Sequence, residues 1–134
     1  MTSNSKVKTA QSNTRNNFSN SKHLVDVISS ALLEKKAEDI VLLDVTKLTT
    51  LTDYFIVCHG GSETQIKAIS SNVTEKTMEV LEEREWRREG LDAKRWVVLD
   101  YVNVVVHIFN KESREHYGLE RMWNDAQITS IKDN

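Results

Sequence analysis

The residues best suited to chemistry are Gly60, Gly61 and Ser62, between a strand-like and a helix-like run, and Asp100 on a later strand-like run. A glycine turn that opens a helix presents free backbone amides and can hold phosphate. Phosphoryl transfer also needs charge neutralisation, normally by divalent metal held on a nearby pair of carboxylates. Asp100 stands alone, with Val102 where a second acid would serve. The glycine pair therefore reads as a tight turn. Ser62-Glu-Thr-Gln65 reads as a capping box whose side chains satisfy the first amides of the helix.

Cys58, His59, His107 and His116 could be considered as metal ligands, but their spacing matches no common zinc pattern. His107 alternates with Val104, Val106 and Ile108, which places it on the opposite sheet face as a partly buried, satisfied histidine. Cys58 sits among apolar strand residues and reads as a small core hydrophobe. As the single cysteine it forms no internal disulfide, which fits a reducing compartment. No cofactor and no metal are expected.

Aromatic residues in the last third point instead to a docking surface, because Trp and Tyr bury large area at low entropic cost. Trp96, Asp100, Tyr101 and Asn103 fall at the end of an expected hairpin, where side chains can face a partner. Tyr117, Glu120 and Trp123 follow in a segment where Leu119 and Met122 also alternate with charges. Trp96, Tyr101 and Trp123 are the expected apolar anchors. Asp100 and Glu120 are expected to meet Lys or Arg on the partner.

The elements that position these residues follow from periodicity. Residues 1–21 are rich in Ser, Asn and Thr and are expected to form a disordered tail. From Lys22, Leu24, Val27, Ile28, Ala31 and Leu32 recur at helical steps, with Ser21 as a candidate N-cap and a stop near Lys36. Asp39 to Val45 and Tyr54 to His59 read as strands. Ile66, Ile69, Val73, Val80 and Leu81 form the stripe of a long helix. That helix is expected to fray across the mixed-charge run Arg84 to Gly90, with Trp86 covering the core edge. Arg95 to Tyr101 and Val102 to Asn110 read as a hairpin. Lys111 to Tyr117 is helical, and residues 127–134 are expected to be loose. The order is α-β-β-α-β-β-α, a single α/β domain over residues 22–126 with a small mixed sheet flanked by helices.

The chain has 134 residues, enough for one modest core. No run approaches the roughly 18 apolar residues of a membrane span. The N-terminus lacks the apolar stretch of a secretory signal, so a cytoplasmic location is expected; organellar import fits less well. Residues 1–22 carry four basic residues and no acid, which leaves 14 basic against 20 acidic residues in the remainder. An acidic body suits a basic protein partner and argues against direct, sequence-specific nucleic-acid binding.

Several segments together resemble the ribosomal silencing factor family, also called the Iojap family. The carriers are Lys35-Lys-Ala-Glu-Asp-Ile40, Leu43-Asp44-Val45, Thr52-Asp53-Tyr54-Phe55, Gly60 to Gln65, Trp96 to Asp100 and Val104 to Phe109. Arg114, Tyr117, Leu119-Glu120, Trp123 and Asp125-Ala126 follow in order. The resemblance implies a nucleotidyltransferase-like topology without the catalytic carboxylates. It also implies binding to the large ribosomal subunit through ribosomal protein fourteen, which blocks small-subunit joining and damps translation when nutrients are scarce. Organellar relatives assist large-subunit assembly, and relatives can form homodimers. A nucleotidyltransferase-like enzyme using Gly60, Gly61 and Ser62 is the competing class. The family usually carries Gly-Asp after the strand that begins at Trp96, where this chain has Val102-Asn103.

Overall fold

The computed structural model describes residues 14–133. The chain runs through α1 (Thr14–Glu34), β1 (Glu38–Asp44), β2 (Tyr54–Gly60), α2 (Glu63–Leu81), β3 (Arg87–Glu89) and β4 (Trp96–Asp100). It continues through β5 (Val104–Asn110), α3 (Lys111–Tyr117), α4 (Leu119–Met122) and β6 (Gln127–Ser130). The strands form one mixed sheet in the order β3-β4-β5-β2-β1-β6. Its central pair, β2 and β5, is parallel. The β4–β5 hairpin is antiparallel, as the short connection predicts.

Alternation along the strands divides the interior in two. On one face α1 and α2 lay Leu24, Ile28, Leu32, Ile66, Ile69 and Val73 over Ile56, Cys58, Leu99, Val106 and Ile108. On the other, a smaller cluster of Leu43, Val45, Val57, Phe109 and Leu119 is closed by α4. The face under the long helices is sealed, whereas the second face is only partly roofed.

Several sequence expectations are corrected. Helix α1 starts at Thr14, so the tail expected over 1–21 is helical from residue 14, and its first thirteen residues lie outside the described residues. Ser21 is not an N-cap but a buried residue on the inner stripe of α1, its hydroxyl donating to Asp53 Oδ2 at 2.7 Å. In α2 the stripe continues from Val73 to Thr77, one turn on, and Val80 is exposed. The helix ends at Leu81 in a left-handed Glu82 cap. The charge run then becomes strand β3, and Trp86 is exposed under the Arg87 guanidinium rather than covering the core. Finally, residues 127–130 are not loose but pair with β1 as an edge strand.

The turn between β4 and β5 bears directly on the Val102-Asn103 departure. Val102 has φ +74, and the Asn103 N–H donates to the Tyr101 carbonyl two residues back at 2.9 Å. This is the positive-φ form of the γ-turn, rare and strained for any residue with a Cβ. For a β-branched side chain the cost is about 1–3 kcal/mol. Asp100 steadies the turn by accepting the Val102 N–H on Oδ1 at 2.8 Å.

Candidate docking surface

Residues two apart in a strand share a face, so Trp96, Val98 and Asp100 line up along β4. They stand directly opposite Phe109, His107 and Val105 of β5. Parallel pairing carries that face on to Phe55, Val57 and His59 of β2. The result is a run of rings across the partly roofed side of the sheet. Trp123 lies 5.3 Å from Phe55, Phe55 lies 5.3 Å from His107, and Trp96 stacks on Phe109 at 4.9 Å. Tyr117 completes the run 4.7 Å from Trp96. Phe55, Trp96, Val98, Val105 and Trp123 are half-buried, and Tyr117 and Met122 are exposed.

Helices α3 and α4 set the upper edge of this surface. Asn110 caps α3 by accepting the Ser113 N–H at 2.8 Å. Gly118, at φ +58, breaks the two helices apart, so that Tyr117 reaches Trp96 while Leu119 and Trp123 turn onto the sheet. A partly buried fork holds the break in place. Arg114 Nε and Nη2 donate to Glu120 Oε1 and Oε2, both at 3.0 Å, and Nη1 lies 2.9 Å from His59 Nδ1. The His59 Nε2 faces Glu38 at 3.4 Å.

His107 orients Trp96. The indole Nε1–H donates to His107 Nδ1 at 3.0 Å. The ring proton is therefore on Nε2, which is buried without a hydrogen-bond partner among the described residues. Burial holds the imidazole down at about pKa 4. Because the unfolded chain takes up a proton near pH 6.5 and the folded one only near 4, the unfolded state binds more protons between those values. The contribution is therefore complete above pH 6.5 and lost as pH falls toward 4. Denaturant midpoints should fall by the equivalent of about 2 kcal/mol between pH 7.5 and pH 5. His107→Gln should flatten that dependence, and an unchanged slope in the variant would show that other groups cause it.

The structure brings some of the expected site residues together and separates others. Trp96, Asp100, Tyr117 and Trp123 share the ringed face. Asn103 sits beyond it at the turn, its carbonyl accepting the Asp53 and Tyr54 N–H groups at 3.0 and 3.2 Å. Tyr101 does not belong to this surface. It follows Asp100 by one residue, so it turns to the opposite side, is 4% exposed, and meets the Thr77 hydroxyl at 3.0 Å. Burial pushes its phenol up to about 12. Glu120 has both its oxygens on Arg114 and keeps about a third of its side chain in water, so its first duty is internal. Phe55, Val98 and Val105 were missed. For Val98 and Val105 the signal was the period-two register with Trp96 and His107; Phe55 joins the face only through the parallel pairing of β2 with β5.

The phosphate-site residues do not converge. Gly60 pairs with Asn110 at one end of the parallel strands, while Asp100 pairs with Val105, level with Phe55 toward the other end. The Gly61 N–H is taken by Gln65 Oε1 at 2.6 Å, and Gln65 N–H by Ser62 Oγ at 3.1 Å. A Cβ on Gly60 would come within 2.9 Å of Ile66, so this glycine serves close strand–helix packing. Cys58 is buried among apolar residues, which pushes its thiol up to about 12. His59, His107 and His116 each contact different neighbours.

The fold and this surface define a single-domain α/β protein with a half-roofed aromatic sheet face cornered by a carboxylate, a form suited to docking. Residues 18–134 match the family model described as "Ribosomal silencing factor during starvation", and the chain belongs to that family. It is 37% identical over 112 residues to the ribosomal silencing factor of Bacillus subtilis, covering 84% of this chain and 94% of that one. It is 30% identical over 113 residues to mouse "Mitochondrial assembly of ribosomal large subunit protein 1", covering 80% of this chain and 50% of that protein. A crystal structure of a Chromobacterium violaceum protein superposes with a TM-score of 0.74 at 32% identity, covering 84% of this chain and 92% of that one. Among the described residues no helix is long and apolar enough to cross a membrane.

Proposed function

We propose that this protein binds the large ribosomal subunit through ribosomal protein fourteen and sterically blocks joining of the small subunit, repressing translation under nutrient limitation. The observation that carries the proposal is the ringed sheet face ending at Asp100, in a chain of the silencing-factor family. Half-buried Trp96, Trp123 and Phe55 supply apolar contact area. Asp100, at the open corner, meets a Lys or Arg of a basic partner. The action is binding without catalysis, without metal or nucleotide, and takes place in the cytoplasm. A role in large-subunit assembly is the second reading, supported by the likeness to the mouse mitochondrial protein.

Sedimentation tests the proposal. The protein is expected to travel with purified large subunits and not with small ones, and to reduce joined ribosomes when both subunits are mixed. Equal association with both subunits, or with neither, would overturn it. Joined ribosomes that persist despite stable large-subunit binding would favour the assembly role.

A further inference from the structure

The end of the molecule that carries Asp100 also exposes apolar side chains that the interior does not use. Leu51 is 83% exposed, Val102 52% and Leu48 43%. Leu48 and Leu51 belong to the 46–53 loop and Val102 to the β4–β5 turn. The two segments are tied together by the Asp53 and Tyr54 amides on the Asn103 carbonyl.

The loop is pinned from within. Asp44 Oδ1 accepts the Thr46 N–H at 3.0 Å and its hydroxyl at 2.6 Å. The Val45 carbonyl accepts the Leu48 and Thr49 amides, and Thr49 Oγ1 accepts the Leu51 N–H at 3.1 Å. Ser21 holds Asp53 at the return of the loop. A loop bonded at this many points presents Leu51 to solvent in a set position, where a slack loop would let it fold back onto the body.

Val102 stands at the same end on a different segment, the β4–β5 turn. Its isopropyl group faces solvent from a backbone held at φ +74. Glycine would relax that turn, and the interior would lose little packing. Strain kept at an exposed side chain points to something outside the fold that uses it. Three carboxylates stand at the same end. Asp44 lies across from Tyr54, Asp53 precedes Tyr54, and Asp100 pairs with Val105 beside the turn. Lys47 is the loop's cation, and Arg87 of β3, opposite Asp100, has its guanidinium engaged by Glu89 and over the Trp86 ring. Apolar tips among a majority of acids fit a basic protein surface with a shallow apolar recess.

We propose that Leu51 and Val102 are apolar anchors seated on a basic protein of the large subunit, so that Asp100 lies inside the contact and not at its rim. This inference rests on the docking role given above and extends that surface around the end of the sheet. The occupant is the ribosomal partner and not a second copy of the chain.

The test measures affinity for purified large subunits, melting temperature and oligomeric state for the wild type, Leu51→Ser and Val102→Gly. Leu51→Ser is expected to lower affinity about tenfold, equivalent to about 1.4 kcal/mol, with an unchanged melting temperature. Val102→Gly is expected to raise the melting temperature while lowering affinity about threefold or more. Opposite signs in stability and binding are the signature, because relief of strain and loss of an anchor come from one substitution. If the wild type binds and both variants bind equally well, the inference falls and the docking role stands. Failure of the wild type to bind removes both. A wild-type dimer that Leu51→Ser converts to monomer, with subunit affinity intact, overturns the inference in favour of a second copy.

Discussion

Asp100→Lys is expected to lower large-subunit affinity by about 30-fold or more, while Asp92→Lys leaves it unchanged. Loss of a paired interface charge costs about 2–5 kcal/mol, and reversal adds repulsion from a basic partner. At about 1.4 kcal/mol per decade, the lower bound already gives that factor. Asp92 is exposed in the turn after β3, where a charge is worth about 0–1 kcal/mol. Asp100 has a second duty, since its Oδ1 accepts the Val102 N–H. Asp100→Asn separates the two, because the amide oxygen keeps the turn and the charge is gone. Binding assays with a circular-dichroism control for all three variants decide the matter. An Asp100→Lys protein that folds and binds like wild type would move the contact elsewhere.

Glu120→Ala is expected to act on stability. Arg114 is buried, and the substitution leaves its guanidinium with only His59 Nδ1 and the Glu38 carbonyl, and no carboxylate bonded to it. Breaking a buried pair costs about 3–5 kcal/mol. Glu120 keeps about a third of its side chain in water, at 33% exposure. That access lowers the expected cost to about 2–3 kcal/mol, or a drop of about 10 °C in melting temperature. Arg114→Lys should fare little better than removal, because a single ammonium cannot reproduce the fork. A melting temperature held at the wild-type value, with subunit binding lost, would return Glu120 to the partner-contacting set.

The candidacy of Asp100 was legible in the sequence, because its place two and four residues after Val98 and Trp96 already assigns it to their face. The same rule moves Tyr101 to the opposite face. Only the fold of α2 showed what receives it there, namely Thr77. Glu120 looked free because its partner lies six residues back across a helix break, and the left-handed turn at Gly118 that joins them leaves no periodic trace.

The order of the central elements, the capping box at Ser62 and Gln65, the hairpin and the helix over 111–117 all follow from the chain alone. Each is a local property, set by hydrophobic period, a cap or a short connection. The edge strands β3 and β6 were invisible for the complementary reason. Arg87-Arg-Glu89 and Gln127-Ile-Thr-Ser130 are exposed throughout. They have no buried face to impose a period and are strands only because β4 and β1 offer unpaired backbone. Residues 14–21 likewise extend a helix whose first turns lack the apolar stripe, with Ser21 held by Asp53 from a distant loop. Local pattern in the chain is enough to set the elements that bury apolar surface, and hence the α/β class. What the sheet edges recruit, which half of the second face stays open, and the strain at Val102 emerge only when the elements assemble. Those depend on contacts between residues far apart in the chain, which no local pattern encodes.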